Sequence, residues 1–404
     1  MTRRTWITRA LAALTTVAGG LAASHAGAAE TIKIGEINSY TRLPAFTEPY
    51  KKGWEMAVAE INASGGVKGR LIEVISRDDA GKPANAIKIA EEMVSSDGVV
   101  MLWGTFFSHI GLAVTDFAKQ REVLFMASEP LSDAIVWTKG NKYTYRLRPS
   151  THMQAAMLAK EAAKTGAKRF ATIAPNYAYG TDAVKAFKSE YEKLVPDVEW
   201  VEDQLPPLFK IDAGAVARAV EAAKPDAIYN VTFGGDLAKL VREGSLRGTF
   251  KDRTVVSLLS GEPEYLDPLG AEAPEGWIVT GYPWYAIEDE AHKTFVANYE
   301  ARWGESPKTG SLVGYNSMLA IAEMFRTTTS LETKDLLAAM DTIVVDSPSG
   351  PFTFRPGDHQ ATMGAWVGRT AVVDGKPVMV DWYYAPGEDY LPSEAEAIAM
   401  RPAE

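Results

Sequence analysis

Cysteine is absent from all 404 residues. That excludes disulfides, thiol nucleophiles and cysteine-held metals, so stability must come from packing. Catalytic signatures are absent too. No G-x-S-x-G elbow occurs, because Gly310-Ser311-Leu312-Val313-Gly314 has the wrong spacing and falls at a helix start. There is no phosphate-cradling loop and no G-x-G-x-x-G. His109, His152, His292 and His359 are scattered, and none has metal-ligand spacing with another. No metal or cofactor is therefore expected. Ser108 has His109 beside it, but neighbours on a helix point apart, and a serine nucleophile needs a base within reach. An enzyme is not expected. Positive charge is in deficit, with 42 Lys and Arg against 52 Asp and Glu. That argues against nucleic acid or an anionic membrane as partner. Beyond the amino terminus no apolar run is long enough to span a bilayer.

The first 29 residues read as a signal peptide. Arg3, Arg4 and Arg9 make a basic start, residues 10–23 a short apolar run, and Ala26-Gly27-Ala28-Ala29 a small-residue cleavage region. Thr2-Arg3-Arg4 also resembles a twin-arginine export signal, and general export fits equally. Without this segment 39 basic and 52 acidic residues remain, a net charge of −13. The remaining length suggests two domains.

Strands are expected at 31–37, 71–76, 99–103 and 122–126, alternating with helices at 48–64, 83–96 and after Ser108. The alternation restarts after Arg148-Pro149-Ser150, with strands at 169–174, 198–201, 227–231, 254–259 and 276–281. Helices at 289–303 and 311–327 follow, then a meander of strands with Asp374-Gly375 at a hairpin turn. The pattern predicts an α/β fold of two Rossmann-like lobes with parallel sheets.

Val99 to Trp103 reads as a buried strand, Gly104 as its end, and Ser108 as the start of a helix carrying Ile110, Val114 and Phe117. A serine there either caps the helix or leaves the first N–H groups to an anion. Aromatic, hydroxyl and carboxyl residues recur where strands give way to loops: Phe46, Phe106, Phe107, Glu129, Ser132, Tyr177, Tyr179, Phe233, Glu262, Trp284 and Tyr285. Carboxyl ends of strands face the ligand crevice in open α/β sheets, so two such sheets facing each other would form a cleft for a small organic molecule. Asp78-Asp79 is expected to bond its own loop.

Gly53-Trp54-Glu55-Met56-Ala57-Val58-Ala59-Glu60-Ile61-Asn62-Ala63-Ser64-Gly65-Gly66-Val67-Lys68-Gly69-Arg70, with Ile32-Lys33-Ile34-Gly35, Asp78-Asp79-Ala80, Tyr179-Gly180 and Gly276-Trp277-Ile278-Val279-Thr280, resembles the periplasmic solute-binding proteins of ABC importers, in the leucine/isoleucine/valine-binding branch. The resemblance implies a type I periplasmic binding fold, with two lobes joined by three crossings and closing on a ligand by a hinge. It implies residues 1–29 as signal peptide, 30–148 with 282–343 as the first lobe, 149–281 with 344–385 as the second, and 386–404 as a tail. It further implies a monomer in the periplasm that delivers its ligand to an inner-membrane permease. A sensor reporting to a receptor would need the same cleft. Position by position, Phe46 is similar to a cleft wall, Ser108 to the hydroxyl holding a ligand carboxylate, and Ser132 to a second such position. Tyr179, Phe233, Trp284 and Tyr285 fall at walls, and Glu262 at an acid that meets a ligand ammonium. Phe106 and Phe107 join them as bulky residues of the same turn. Departures are Glu129 and Pro130, where relatives carry small residues, and Phe107 and Gly81, where some carry cysteines. The bulky walls point to an aromatic carboxylate or amide as well as a hydrophobic or branched-chain amino acid. Glu129 and Glu262 suit an ammonium or amide N–H, and the choice stays open.

Overall fold

The computed structural model describes residues 31–403, so the expected signal peptide lies outside the described residues. The first sheet comprises β1 (Thr31–Asn38), β2 (Leu71–Asp78), β3 (Leu102–Gly104), β4 (Phe125–Ala127) and β5 (Thr144–Arg146). All pairings are parallel, in the order β2-β1-β3-β4-β5. β6 (Arg169–Ile173), β7 (Glu199–Gln204), β8 (Ala227–Asn230), β9 (Thr254–Gly261) and β10 (Ile278–Gly281) make the parallel part of the second sheet. A ribbon of β11 (Val344–Val345) and β12 (Phe352–Thr353) follows, then β13 (Ala365–Val373) and β14 (Lys376–Ala385). The second sheet runs β14-β13-β10-β9-β8-β6-β7, with β13 antiparallel to both neighbours. Asp374 and Gly375 have φ of 51° and 75°, which the two-residue turn between twisted strands requires.

Both parallel sections share one winding: the first strand lies inside, the second beside it at the edge, and the third on its other side. The direction of winding therefore reverses between β1 and β3 and again between β6 and β8. Crevices open outside the carboxyl ends of strands at such reversals. Helices cover both faces of the sheets. Ile32 and Ile34 pack with Tyr50, Trp54, Ala57 and Ile61, while Ile37 points into the core on the opposite face. Five successive residues of β1, Ile34 to Asn38, are buried, which is possible only when both faces are covered.

The first helix runs Pro44–Ala63 rather than starting near 48. Pro44 at its first turn supplies a pre-set φ at no hydrogen-bond cost. Phe46 thus stands on a helix and not in a loop. Helix Thr309–Thr327 packs closely on it through small residues. A Cβ on Gly53 would sit 2.0 Å from the Ser311 carbonyl oxygen, and one on Gly314 would sit 2.1 Å from that of Tyr50.

The chain leaves the first sheet after β5, returns after β10 to helices on the first lobe, and crosses back to β13. Residues 344–363 differ from the expected division. Val345, Phe352, Phe354, Ala361 and Met363 belong to the apolar cluster of the first lobe, so the last crossing falls after Met363 and not at 344. The terminal stretch packs on the rest of the chain. Helix Glu394–Met400 forms there, Tyr390 receives the Lys160 ammonium over its ring at 5.5 Å, and Arg401 Nη1 donates to the Val136 carbonyl at 3.1 Å.

Candidate ligand-binding cleft

On the first lobe the site begins with backbone. Gly104 ends β3 with φ +100°, and a Cβ there would lie 2.7 Å from the Ile37 carbonyl oxygen. Thr105, at φ 61°, donates its N–H to that same oxygen at 2.6 Å. A non-glycine residue held in this region marks a turn that surrounding structure over-determines. The turn delivers Phe106, Phe107 and Ser108. Ser108 is the first residue of helix Ser108–Arg121, whose N-cap position, Phe107, gives no side-chain cap. The plain capping role is therefore not what the serine does. Its Oγ accepts from Ser132 N at 3.2 Å, leaving its own proton to donate toward the cleft. An uncapped helix start carries partial positive charge and suits an anion.

The 128–132 loop is held from behind. Buried Arg146 donates through Nη1 to the Leu131 carbonyl at 3.1 Å and to that of Ser132, and through Nε to Gln360 Oε1 at 2.5 Å. Ser132 Oγ donates to Asp182 of the second lobe, so the lobes meet here. Glu129 is 1% exposed. Its Oε1 accepts from Asn38 Nδ2 at 2.6 Å, and its Oε2 has no protein partner. Burial raises its pKa well above 4.5, Asn38 opposes that, and the charge of Glu36 adds to it.

The second lobe contributes rings. Tyr177 and Tyr179 follow β6, Phe233 follows β8, and Leu259, Glu262 and Tyr265 come from the end of β9 and the short helix after it. Phe106 meets Phe233 at 6.3 Å between centroids, Phe46 meets Tyr265 at 6.4 Å, and Phe107 meets Phe209 at 5.9 Å. Arg42 places its guanidinium 4.6 Å over Phe209 at the same junction. Inside, Arg148 Nη2 donates to Glu262 Oε1, and the guanidinium lies 5.3 Å from the centre of Phe46. The hydroxyls of Tyr179 and Tyr265 and Glu262 Oε2 are buried without a protein partner. Native interiors rarely leave such groups unpaired, and a cluster of them calls for a polar occupant. Tyr179 and Tyr265 line a cavity of about 20 Å³ together with Ser108, Glu129, Arg148 and Phe233, among others. A neighbouring cavity of about 40 Å³ is bordered by Arg148 and Glu262. A far larger depression, about 910 Å³, lies between residues 133–138, helices Thr151–Ala163 and Ala178–Leu194, and the terminal helix. The unpaired polar groups named above line the small cavities rather than this groove, and they identify the cleft as the candidate site.

The structure brings together Phe46, Phe106, Phe107, Ser108, Glu129, Ser132, Tyr179, Phe233 and Glu262. Trp284 and Tyr285 stand apart. Tyr285 is 46% exposed, and its hydroxyl bonds Met379 of β14, accepting from N at 2.6 Å. Their strand is β10, and β9 separates it from β8, so its end lies roughly 10 Å from the reversal point. Arg148, Tyr265 and Phe209 join the cleft residues, although the sequence pattern does not single them out. Arg148 had a signal: a cation ends the run Tyr145-Arg146-Leu147-Arg148, just where a buried strand meets a crossing. The Asp78-Asp79 pair bonds its own loop, Asp78 Oδ1 accepting from Ala80 N at 2.9 Å and Asp79 Oδ1 from Gly81 N at 2.7 Å. Among the described residues no group of histidines and acids could hold a metal.

Residues 31–376 match the family described as periplasmic binding protein. A Leu/Ile/Val-binding protein homolog 7 from Brucella suis is 25% identical over 341 residues, covering 80% of this chain and 84% of that one. A solute binding protein of an ABC transporter from Rhodopseudomonas palustris, in complex with 3,4-dihydroxy benzoic acid, has a TM-score of 0.77 at 24% identity, covering 88% of this chain and 98% of that one. A leucine-, isoleucine-, valine-, threonine- and alanine-binding protein from Brucella ovis has a TM-score of 0.79 at 21% identity, covering 92% and 98%.

Proposed function

We propose, since the chain belongs to the periplasmic binding protein family, that it captures a small organic acid with an aromatic ring between its lobes and delivers it to the permease of an ABC importer. One observation carries the ligand class: a closed wall of rings from both lobes surrounds an uncapped helix start and a buried guanidinium. Rings bind a flat apolar body, while Ser108, the helix N–H groups and Arg148 suit a carboxylate. The relative that binds 3,4-dihydroxy benzoic acid supports the same class. Glu129 favours a second reading. It faces the cavity with one oxygen unpartnered, and Arg148, the cation that acts on it, is already paired with Glu262. An ammonium group would complement it, as in an amino acid, and so would a phenol or amide donor.

The protein works as a monomer in the periplasm, performs no chemistry on its ligand and binds no nucleic acid. Its acidic charge supports the last point. Thermal unfolding with benzoate, 4-hydroxybenzoate, benzamide, leucine and phenylalanine tests the class, because a ligand that binds only the folded state raises the midpoint with its concentration. The expected result is stabilisation by the aromatic acids and recovery of the ligand unchanged. Stabilisation by leucine alone would transfer the assignment to amino acids, and consumption of the ligand would end the binding-protein reading.

A further inference from the structure

We infer that Glu262 is an internal stand-in for the ligand's carboxylate, and that ligand and Glu262 compete for Arg148. The inference rests on the proposed reading of the cleft as a site for an organic acid. Arg148 and Glu262 have side-chain exposures of 6% and 3%. Their pairing is single-pronged: Nη2 donates to Oε1, and Oε2 has no partner. A guanidinium placed for lasting structural pairing with a carboxylate more often engages both oxygens. A buried pair of this kind is also poor evidence of a stability device, since desolvation offsets its attraction.

Position supports exchange of partners. Arg148 lies on the segment leaving the first sheet, while Glu262 precedes the short helix Pro263–Leu266 of the second lobe. The bond therefore spans the two lobes, and hinge opening separates its members. Arg148 borders the cavity that Ser108 lines and also the cavity that Glu262 lines. The two cavities are too small for a ring as the lobes stand, and once the lobes part enough to admit one, a carboxylate can lie between the Ser108 helix start and the guanidinium with its ring toward Phe46, Phe106 and Phe233. Arg148 is the cation acting on Glu262, whose charged surroundings otherwise consist of Glu264. An acid that takes Arg148 leaves Glu262 without compensation. A neutral isostere brings no charge to Arg148, so it gains less from the guanidinium than an acid does and need not break the pair. Glu262 then sets a threshold that an incoming acid must exceed, and specificity comes from the difference between the two ligands.

The test is calorimetric titration of benzoate and benzamide into the wild type, Glu262→Gln, Arg148→Met and the double variant. Glu262→Gln is expected to tighten benzoate about tenfold, the scale of one hydrogen bond to a charged group, while benzamide stays within about twofold. Arg148→Met is expected to weaken benzoate by a similar factor. Should it unfold by stranding Glu262, the double variant restores a neutral core and is expected to bind benzoate no tighter than benzamide. If Glu262→Gln weakens benzoate, or shifts benzoate and benzamide alike, the competition is overturned while the aromatic-acid reading stands. If the wild type takes leucine and neither aromatic probe, the aromatic-acid reading fails first. Leucine then decides the competition: a looser complex with Glu262→Gln makes Glu262 an ammonium contact and overturns it, and a tighter one sustains it.

Discussion

The two lobes wind their parallel strands in the same order, yet they bring different chemistry to the cleft. The first presents constrained backbone and an acid, the Gly104-Thr105 turn, an uncapped helix start and Glu129, with the buried carboxyls Glu36 and Asp79 elsewhere in the same lobe. The second presents rings, Tyr177, Tyr179, Phe233 and Tyr265, and its cleft acid Glu262 meets a cation. Fold supplies only the place where loops converge. What the loops carry decides the ligand. The first lobe holds groups in fixed directions and suits the charged end of a ligand. The second offers broad apolar faces and suits its body.

The largest expected effect probes the uncompensated acids. Burial raises the Glu36 carboxyl from 4.5 to about 8, against opposing bonds from Ser76 and others. Between those two values the folded chain keeps a proton that the unfolded chain has released, so stability falls as pH rises. The slope is up to about 1.4 kcal/mol per pH unit for one such group. Glu36→Gln should flatten the decline in melting midpoint across pH 5–8. An unchanged slope would mean that the first lobe carries no such cost, and the contrast between the lobes would weaken.

Backbone constraint comes next. Gly104→Ala meets both a positive φ and the Ile37 carbonyl, and should cost about 2–4 kcal/mol in denaturant unfolding. Gly276, at the entry to β10, also has positive φ but open space around its missing Cβ, and Gly276→Ala should cost about 1 kcal/mol. Equal losses would show that the first-lobe turn is no tighter than an ordinary one. Ser108→Ala should weaken ligand binding by about 1–3 kcal/mol, the range for a lost bond to a charged group. Unchanged affinity in calorimetry would reduce Ser108 to its bond with Ser132.

Smaller effects sharpen the second lobe's part. Tyr179→Phe removes a hydroxyl without a protein partner, so stability should hold or rise, and a loss of about 1 kcal/mol in affinity alone would mark a ligand contact. Trp284→Ala and Tyr285→Phe should leave affinity within about 0.5 kcal/mol, as residues away from the site do. A larger loss would extend the ring wall to the end of β10.

Legibility followed the range of the interactions. Strand and helix alternation and the Asp374-Gly375 hairpin depend on near neighbours, and both are legible in the sequence. Short strands were harder: β5 went unread because Thr144-Tyr145-Arg146 places an arginine in a run of three. That arginine bonds the Leu131 and Ser132 carbonyls and Gln360, the last 214 positions away. The start of the first helix is not legible, because Pro44 reads equally as loop or first turn.

By itself, then, the sequence determined the two α/β lobes and the turn that delivers Ser108, because periodicity and turn residues are local properties. Tertiary structure alone decided which carboxylate is neutralised. Arg148 and Glu262 are 114 positions apart and meet only when the lobes face each other, while Glu129, on the same lobe as Arg148, is left with Asn38. It also set Trp284 and Tyr285 aside, since strand order rather than chain order decides which loops reach the point where the winding reverses.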